Sequence, residues 1–178
     1  MKFNDEQLSE FSKEHLCYEI DSLYSALELF AKQPKIEIKD VTDALNSSAK
    51  NLFLEGIILH GRCLFEFLYF KESPNPKKAD DALAIHYFDE PSTWEALRPN
   101  NSGKLNSLWD RANKEVAHLT YARMNITQLA KQWDLYTITN DMLTTLLLFA
   151  KNANPKKLHP NVALTLEFWK KRTEYEPG

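Results

Sequence analysis

Apolar residues recur at the period of an α-helix across the first thirty residues of the chain, and this pattern constrains the fold most strongly. The recurrence begins after Asn4 and Gln7, whose spacing is that of a capping box, and it ends before Pro34. The apolar positions are Leu8, Phe11, Leu16, Ile20, Leu23, Leu27 and Phe30. We therefore predict a first helix over residues 5–32 that buries one face.

A second helical pattern begins at Asp40 or Thr42, either of which can cap it, and ends before the prolines at 74 and 76. The positions predicted to face inward are Leu45, Ala49, Leu52, Phe53, Ile57, Leu64, Phe67 and Leu68. Residues 52–70 are numerous enough to span a membrane, but four polar side chains that would be costly in hydrocarbon interrupt them: Glu55, His60, Arg62 and Glu66. We interpret this segment as a buried central helix, with Gly56 and Gly61 allowing a neighbouring backbone to approach closely.

Residues 73–104 hold four of the eight prolines and predict an irregular connection with short helical turns near Asp80–Ala84 and Thr93–Leu97. A third helix is predicted from Gly103 to Leu119. Asn125 and Gln128 form a second capping-box pattern, which predicts a fourth helix through Ile126, Leu129, Trp133, Tyr136, Leu143, Leu146 and Ala150. A short last helix is predicted over residues 161–175, with Leu164, Leu166, Phe168 and Trp169 available for docking. The fold class is all-α: an up-and-down bundle of four to five helices.

Composition supports one domain over residues 1–178, with a core bundle over 5–152. The chain has 178 residues, of which 43% are hydrophobic, and this is ample for a single core. Cys17 and Cys63 form no CxxC pair and have no nearby histidine cluster, so we expect reduced thiols, no metal and no cofactor. Cys63 is expected to be buried and inert. The acidic N-terminus has no signal-peptide pattern, which favours a cytoplasmic protein without a membrane partner.

The segment Asp110–Arg123 carries the chemistry-bearing residues of the chain. Arg111, Glu115 and His118 are related by i, i+4 and i+7, so one helical face can carry all three. A histidine can act as a general acid or base near neutral pH, and an arginine can stabilise a phosphorane bidentately. The alternative is a solvated ladder of ion pairs in which His118 favours the helix C-terminus.

Other polar residues have structural interpretations beside the functional ones. Arg62 is expected to satisfy a structural carboxylate, and His60 is expected to be a core histidine bonded to the backbone. The four tryptophans could stack nucleic-acid bases, but their amphipathic spacing favours packing: Trp94, Trp109, Trp133 and Trp169.

Arg111, six intervening residues and His118 resemble the R-x(4–6)-H motif of the HEPN superfamily. The order of parts over residues 5–152, together with LHGRCLFEFLYF at 59–70, STWEALRP at 92–99 and NKEVAHLTYAR at 113–123, resembles uncharacterised bacterial proteins of that superfamily. The resemblance implies a homodimeric, metal-independent ribonuclease, often a toxin or antiphage effector with a cognate protein partner. Arg111 and His118 would be its catalytic pair. The residues assigned to RNA or nucleotide binding are Asn113, Lys114, Tyr121 and Arg123, with Glu115 and Arg62 supporting them.

Ala112 follows the arginine where many active HEPN proteins have a polar residue. The alternative function is therefore a non-catalytic HEPN-like module that binds a partner protein or a nucleotide. A further possibility is a structural scaffold that assembles through an apolar interface remote from Arg111. Two copies meeting along helices three and four would bring their His118 side chains together, whereas motifs far apart would favour the module.

The net charge of −3 argues against indiscriminate binding to a polyanion, so any RNA site must be local. The charge is distributed unevenly. Residues 1–31 carry seven carboxylates against two lysines, whereas residues 150–172 carry six basic residues against Glu167 alone. We expect these two regions to pair within one chain or between subunits.

Overall fold

The fold is known from a computed structural model that describes residues 3–32, 41–72, 81–101, 103–116 and 132–174. These residues form helices and connections and no strand, so the all-α class is confirmed. The α-helices are α1 (Asp5–Phe11), α2 (Cys17–Ala31), α3 (Val41–Tyr69), α4 (Pro91–Leu97), α5 (Gly103–Arg111), α6 (Leu135–Asn152) and α7 (Pro160–Glu174).

Helices α1 and α2 form one continuous helix because the turn between them, Ser12–Leu16, is π-helical. The predicted capping box is present: the side chain of Asn4 accepts from the backbone N–H of Gln7, and the Gln7 side chain accepts from the Asn4 N–H. The π-turn places Ser12 in the core, where its hydroxyl donates to the Ser9 carbonyl and accepts from the His159 N–H. The residue before α7 is thereby held against the π-helical turn. The predicted inward position of Phe11 is wrong, because this ring is exposed.

Helix α3 packs antiparallel against α2 and forms the centre of the bundle. A Cβ atom at Gly61 would lie 3.2 Å from a Leu108 methyl group, and one at Gly56 would lie 3.6 Å from Ala26. The prediction that a neighbouring backbone approaches both glycines is wrong, because the nearest groups are the side chains of Leu108 and Ala26. Leu52 was predicted to face inward and is instead 66% exposed. None of the helices within the described ranges is both long enough and apolar enough to cross a membrane.

The connection after α3 contains a 3₁₀ turn over Ala84–Tyr87 and helix α4. The first turn therefore begins later than the predicted one, because residues 81–83 are not helical. The predicted turn near residue 93 is confirmed as α4. Trp94 Nε1 donates to the Leu68 carbonyl over 2.7 Å, and Arg98 Nη1 donates to the Tyr69 carbonyl over 2.8 Å. These donors satisfy carbonyls that the end of α3 leaves without helical partners.

Helix α6 begins at Leu135, where the Asp134 side chain accepts from the Thr137 N–H. The predicted fourth helix continued without a break through Trp133, and this is wrong because residues 132–134 are irregular. Tyr136 is 82% exposed, contrary to the prediction, whereas Leu143 and Leu146 are buried as predicted. The capping-box pattern at residues 125–128 lies outside the described residues.

The predicted last helix is confirmed as α7, which closes the bundle against α2. Val162, Leu166 and Trp169 are buried, and Trp169 Nε1 donates to the Asp21 carboxylate over 2.7 Å. The Trp169 ring stacks on Tyr24 at a centroid distance of 5.8 Å. Leu164 and Phe168 were predicted to be available for docking, and both remain exposed.

Candidate functional site around Arg111

Arg111 is the last residue of α5, and a second π-helical turn, Ala112–Val116, continues the chain from it. Residues 111–116 are called the Arg111 region below. Leu105, Leu108 and Ala112 anchor this segment because their side chains are buried against the core. The third helix is thus confirmed as far as residue 116. Residues 117–131 lie outside the described part of the chain, and three predicted site residues fall among them: His118, Tyr121 and Arg123.

Arg111 pairs bidentately with Glu115 one turn further along the chain. Its Nε donates to Glu115 Oε1 over 2.7 Å, and its Nη2 donates to Oε2 over 2.9 Å. The two side chains are 21% and 18% exposed. A planar guanidinium matched to a carboxylate in this way forms a strong charge-assisted pair. The i, i+4 relation predicted from the sequence therefore holds for the first two members of the triad.

Two residues ahead of α6 complete the surroundings of Arg111. Its Nη1 donates to the Gln132 carbonyl over 3.0 Å, and the guanidinium carbon lies 3.8 Å from the centroid of the Trp133 ring. This stacking is a close cation–π contact. Arg111 consequently ties the end of α5 to the chain that enters α6.

A second polar cluster lies between α3 and α5. Arg62 Nε donates to Glu66 Oε1 over 3.0 Å, and Trp109 Nε1 donates to the same oxygen over 2.7 Å. The Trp109 ring also packs edge-on against Phe70 at 5.6 Å. The interpretation of Arg62 as the partner of a structural carboxylate is therefore confirmed.

The predicted substrate-binding residues that are described lie on different parts of this segment. The Asn113 amide donates to the Trp109 carbonyl over 3.0 Å, so Asn113 is associated with the cluster around Glu66. Lys114 is exposed on the π-helical turn. Arg111 instead contacts residues 132–133, and Glu115 is bonded to Arg111. The predicted site residues thus fall into two groups. Arg111 is bonded to Glu115, whereas Arg62 shares the Glu66 carboxylate with Trp109, whose carbonyl accepts from Asn113.

Two residues of α3 differ from their sequence interpretation. His60 Nδ1 lies 2.8 Å from Glu19 Oε2, so its partner is a carboxylate on α2, and the predicted backbone partner is wrong. Cys63 is exposed, and its predicted burial is wrong. Partial desolvation, together with the nearby Glu19 and Glu66 carboxylates, raises the pKa of the Cys63 thiol to about 11. The thiol is therefore protonated at neutral pH, which agrees with a low reactivity.

The four tryptophans are packing residues, as predicted. Trp94 and Trp169 are buried, and Trp109 and Trp133 pack against the core as partly buried rings. Three of them also donate through the indole N–H, to Leu68, Glu66 and Asp21. Within the described ranges, no three His, Cys, Asp or Glu side chains are grouped so that they could hold a metal ion.

A cavity of about 380 Å³ lies near the junction of α4 with the end of α6. It is lined by Phe88, Asp89, Glu90, Thr93 and residues 152–155. Asp89 accepts from Asn154 over 2.8 Å and pairs with Lys157 over 3.2 Å. These bonds hold the connection against the segment between α6 and α7. The lining contains no residue of the Arg111 region, and its two carboxylates are unsuited to a phosphate ligand.

Comparison with known proteins identifies no relative. No protein-family model matches the chain, and the curated proteins and the solved structures likewise contain no significant match.

Proposed function

We propose that this protein is a non-catalytic HEPN-like helical module that binds a partner protein or a nucleotide. The observation that carries the proposal is the engagement of Arg111, whose guanidinium is bonded to Glu115 and Gln132 and stacked on Trp133. In a ribonuclease this guanidinium would contact the scissile phosphate. Here it holds two segments of its own chain together.

Phosphate binding would require a rearrangement of this site. The bidentate edge of the Arg111 guanidinium, which a phosphate would use, is occupied by Glu115. A phosphate at that edge would also lie beside a carboxylate of the same sign, and like charges at close range are repulsive. Glu115 is only 18% exposed, so it would have to leave a largely enclosed position before the phosphate could enter. Arg111 is therefore better suited to a structural role than to transition-state stabilisation.

A second candidate is the metal-independent ribonuclease implied by the HEPN resemblance. The observation in its favour is the π-helical turn Ala112–Val116, which lies between Arg111 and His118 in the sequence. Single π-turns inside helices occur frequently at functional sites. In this mechanism His118 transfers a proton, and Arg111 exchanges Glu115 for the phosphate as the substrate binds.

The decisive experiment incubates the wild-type protein with a mixed pool of tRNA and mRNA in the presence of a metal chelator across a pH series. If the protein is a non-catalytic module, the RNA should remain intact at every pH. It also predicts that Arg111→Ala and Glu115→Ala lower the thermal midpoint, because each removes half of a partly buried pair. Asp110→Ala is the matched control, since Asp110 is an exposed carboxylate on the same segment.

Cleavage by the wild-type protein would contradict the module, provided that His118→Ala abolishes the cleavage without changing the thermal midpoint. That result would establish the second candidate. For the module itself, a nucleotide ligand is detected as a rise of the thermal midpoint with increasing nucleotide concentration, because a ligand that binds only the folded state stabilises it.

A further inference from the structure

Six large apolar side chains are exposed on helices α2, α3 and α7, which pack side by side. Their exposed fractions range from 48% to 68%. The residues, here called the outer face, are Tyr18, Leu29, Leu52, Leu59, Leu164 and Phe168. Single exposed apolar residues are ordinary, but a contiguous apolar patch on a monomer is uncommon and marks an interaction site.

The contacts between α2 and α3 place their exposed apolar residues along one seam. The Tyr18 ring lies edge-on to His60 at 5.7 Å, and Leu59 precedes His60 on α3. Ala26 faces Gly56 further along the same seam. Leu29 lies about one helical turn further toward the C-terminus of α2. Leu52 lies about one turn further toward the N-terminus of α3, which is the corresponding position because the two helices are antiparallel. The apolar residues therefore follow both sides of the seam.

Helix α7 extends the outer face along the other side of α2. Arg172 pairs with Glu28 of α2, with its Nε 2.7 Å from Glu28 Oε2, and its guanidinium carbon lies 5.7 Å from the Phe168 ring. The Phe168 ring also contacts Trp169, which is bonded to Asp21 of α2. Phe168 and Leu164, one turn apart, thus border α2 on the side opposite α3.

The charges around the outer face are separated along the helices. The end formed by residues 5–16 has four carboxylates and only Lys13 as a lysine or arginine. The opposite end collects five cationic side chains from all three helices, and Glu28 is the carboxylate bonded to two of them. These cations are Lys32, Lys50, Lys170, Lys171 and Arg172. The outer face consequently has an acidic end and a basic end.

We propose that the outer face binds a second copy of this chain in an antiparallel, two-fold symmetric dimer. A two-fold axis that lies in the plane of the face, at right angles to the helices, brings the apolar residues of the two copies together and sets each acidic end over the partner's basic end. A surface of this polarity is self-complementary. An anionic membrane, by contrast, would favour one sign of charge along the entire face.

This dimer keeps the two Arg111 regions apart. Leu108 of α5 and Leu23 of α2 both approach Gly61 on the buried side of α3, so α5 packs on the side of α3 that is turned away from the outer face. Dimerisation along the outer face differs from the expected meeting along helices three and four. The proposal concerns a different surface from the proposed function, and it holds or fails whether or not the protein cleaves RNA.

Sedimentation velocity of the full chain, from about 1 µM to about 100 µM, tests the dimer because association follows mass action. We expect the wild-type protein to change from monomer to dimer over this range. Leu52→Glu and Phe168→Glu should keep the protein monomeric, with an unchanged helical circular-dichroism spectrum. Leu97→Glu is the matched control, because Leu97 is a 40% exposed leucine on α4, remote from the outer face.

A charge exchange tests the antiparallel arrangement. Glu14→Lys alone and Lys171→Glu alone should each weaken the dimer at least several-fold, whereas the double variant should recover most of the wild-type association. A wild-type protein that stays monomeric throughout overturns the proposal. A dimer that both apolar variants leave intact also overturns it, and co-sedimentation of a monomeric wild-type protein with anionic vesicles identifies a lipid surface as the occupant instead.

Discussion

Two arginines, one at the end of α5 and one in α7, make similar bonds in different surroundings. Arg111 pairs bidentately with Glu115, and Arg172 pairs bidentately with Glu28. The Arg111 side chain is 21% exposed, and its guanidinium lies against Trp133 at 3.8 Å, whereas the Arg172 side chain is 47% exposed and lies 5.7 Å from Phe168. The chemical groups are the same and the carboxylates are similarly enclosed, at 18% for Glu115 and 20% for Glu28, so the difference lies in the access of water to the arginine.

Exposure decides what each pair contributes. A solvated ion pair gains little because water and salt screen it and because two long side chains lose freedom. A partly enclosed pair is screened less, and the loss of one partner leaves the other charge without compensation. The comparison indicates that the Arg111 region depends on its ion pair for stability, whereas the seam between α2 and α7 depends mainly on buried rings such as Trp169.

Replacement of Arg111 by alanine should have the largest effect on stability. It removes two charge-assisted hydrogen bonds to Glu115 and the stacking on Trp133, and we expect a loss of about 2–3 kcal/mol in the free energy of unfolding. Urea denaturation followed by circular dichroism measures this loss. Arg111→Lys should recover only part of it, because an ammonium cannot make the bidentate contact. Full stability of Arg111→Ala would contradict the structural role of this residue.

Replacement of Trp133 by leucine should have a smaller effect on the same region. Leucine retains an apolar contact but lacks the aromatic face, so we expect a loss of about 1 kcal/mol from the missing cation–π contact. A double-mutant cycle with Arg111→Ala isolates this contribution. If the two losses are simply additive, the stacking contributes nothing to stability. Trp169→Leu, in the α2–α7 seam, provides the comparison for a tryptophan without a stacked arginine.

The sequence predicted the first helix correctly, where apolar periodicity and a local capping box agree. The first helix begins at the Asn4 capping box, and Leu16, Ile20 and Leu23 are buried as the helical period predicts. These features depend on residues near one another in the chain or on one helical face. Leu52 and Tyr136 were predicted to be buried because they match the helical period, but periodicity cannot show where a neighbouring helix ends and leaves the face open.

The candidate site was predictable only within one helix. The pairing of Arg111 with Glu115 follows from their i, i+4 spacing. The contacts with Gln132 and Trp133 lie about twenty residues further along, and nothing in the local pattern indicates that the chain returns there. The same limit applies to Glu66, which binds Arg62 within its own helix but also Trp109 from another. Bonds between helices depend on packing, which a single sequence does not display.

The smallest predicted effect is the pH dependence of the α2–α7 seam. Hydrogen bonds from Arg172 and then Lys32 lower the pKa of Glu28 from the ordinary value of 4.5 to about 2. A carboxyl group with a lowered pKa in the folded state stabilises the fold above its unfolded pKa, and this contribution is lost as the pH falls through the folded value. The contribution should therefore be present above pH 4.5 and disappear between there and pH 2.

Urea midpoints of the wild-type protein and Glu28→Gln, measured at several pH values, test this difference between the two arginine pairs. The midpoints should differ slightly at neutral pH and converge as the pH falls, because the protonated wild-type carboxyl and the glutamine amide are then both uncharged. About 1 M salt should reduce the difference at neutral pH, since the pair is solvated and the screening length is then only about 3 Å. A difference that persists under both conditions would show that Glu28 acts through packing, and the contrast with the enclosed Arg111 pair would no longer rest on solvent access.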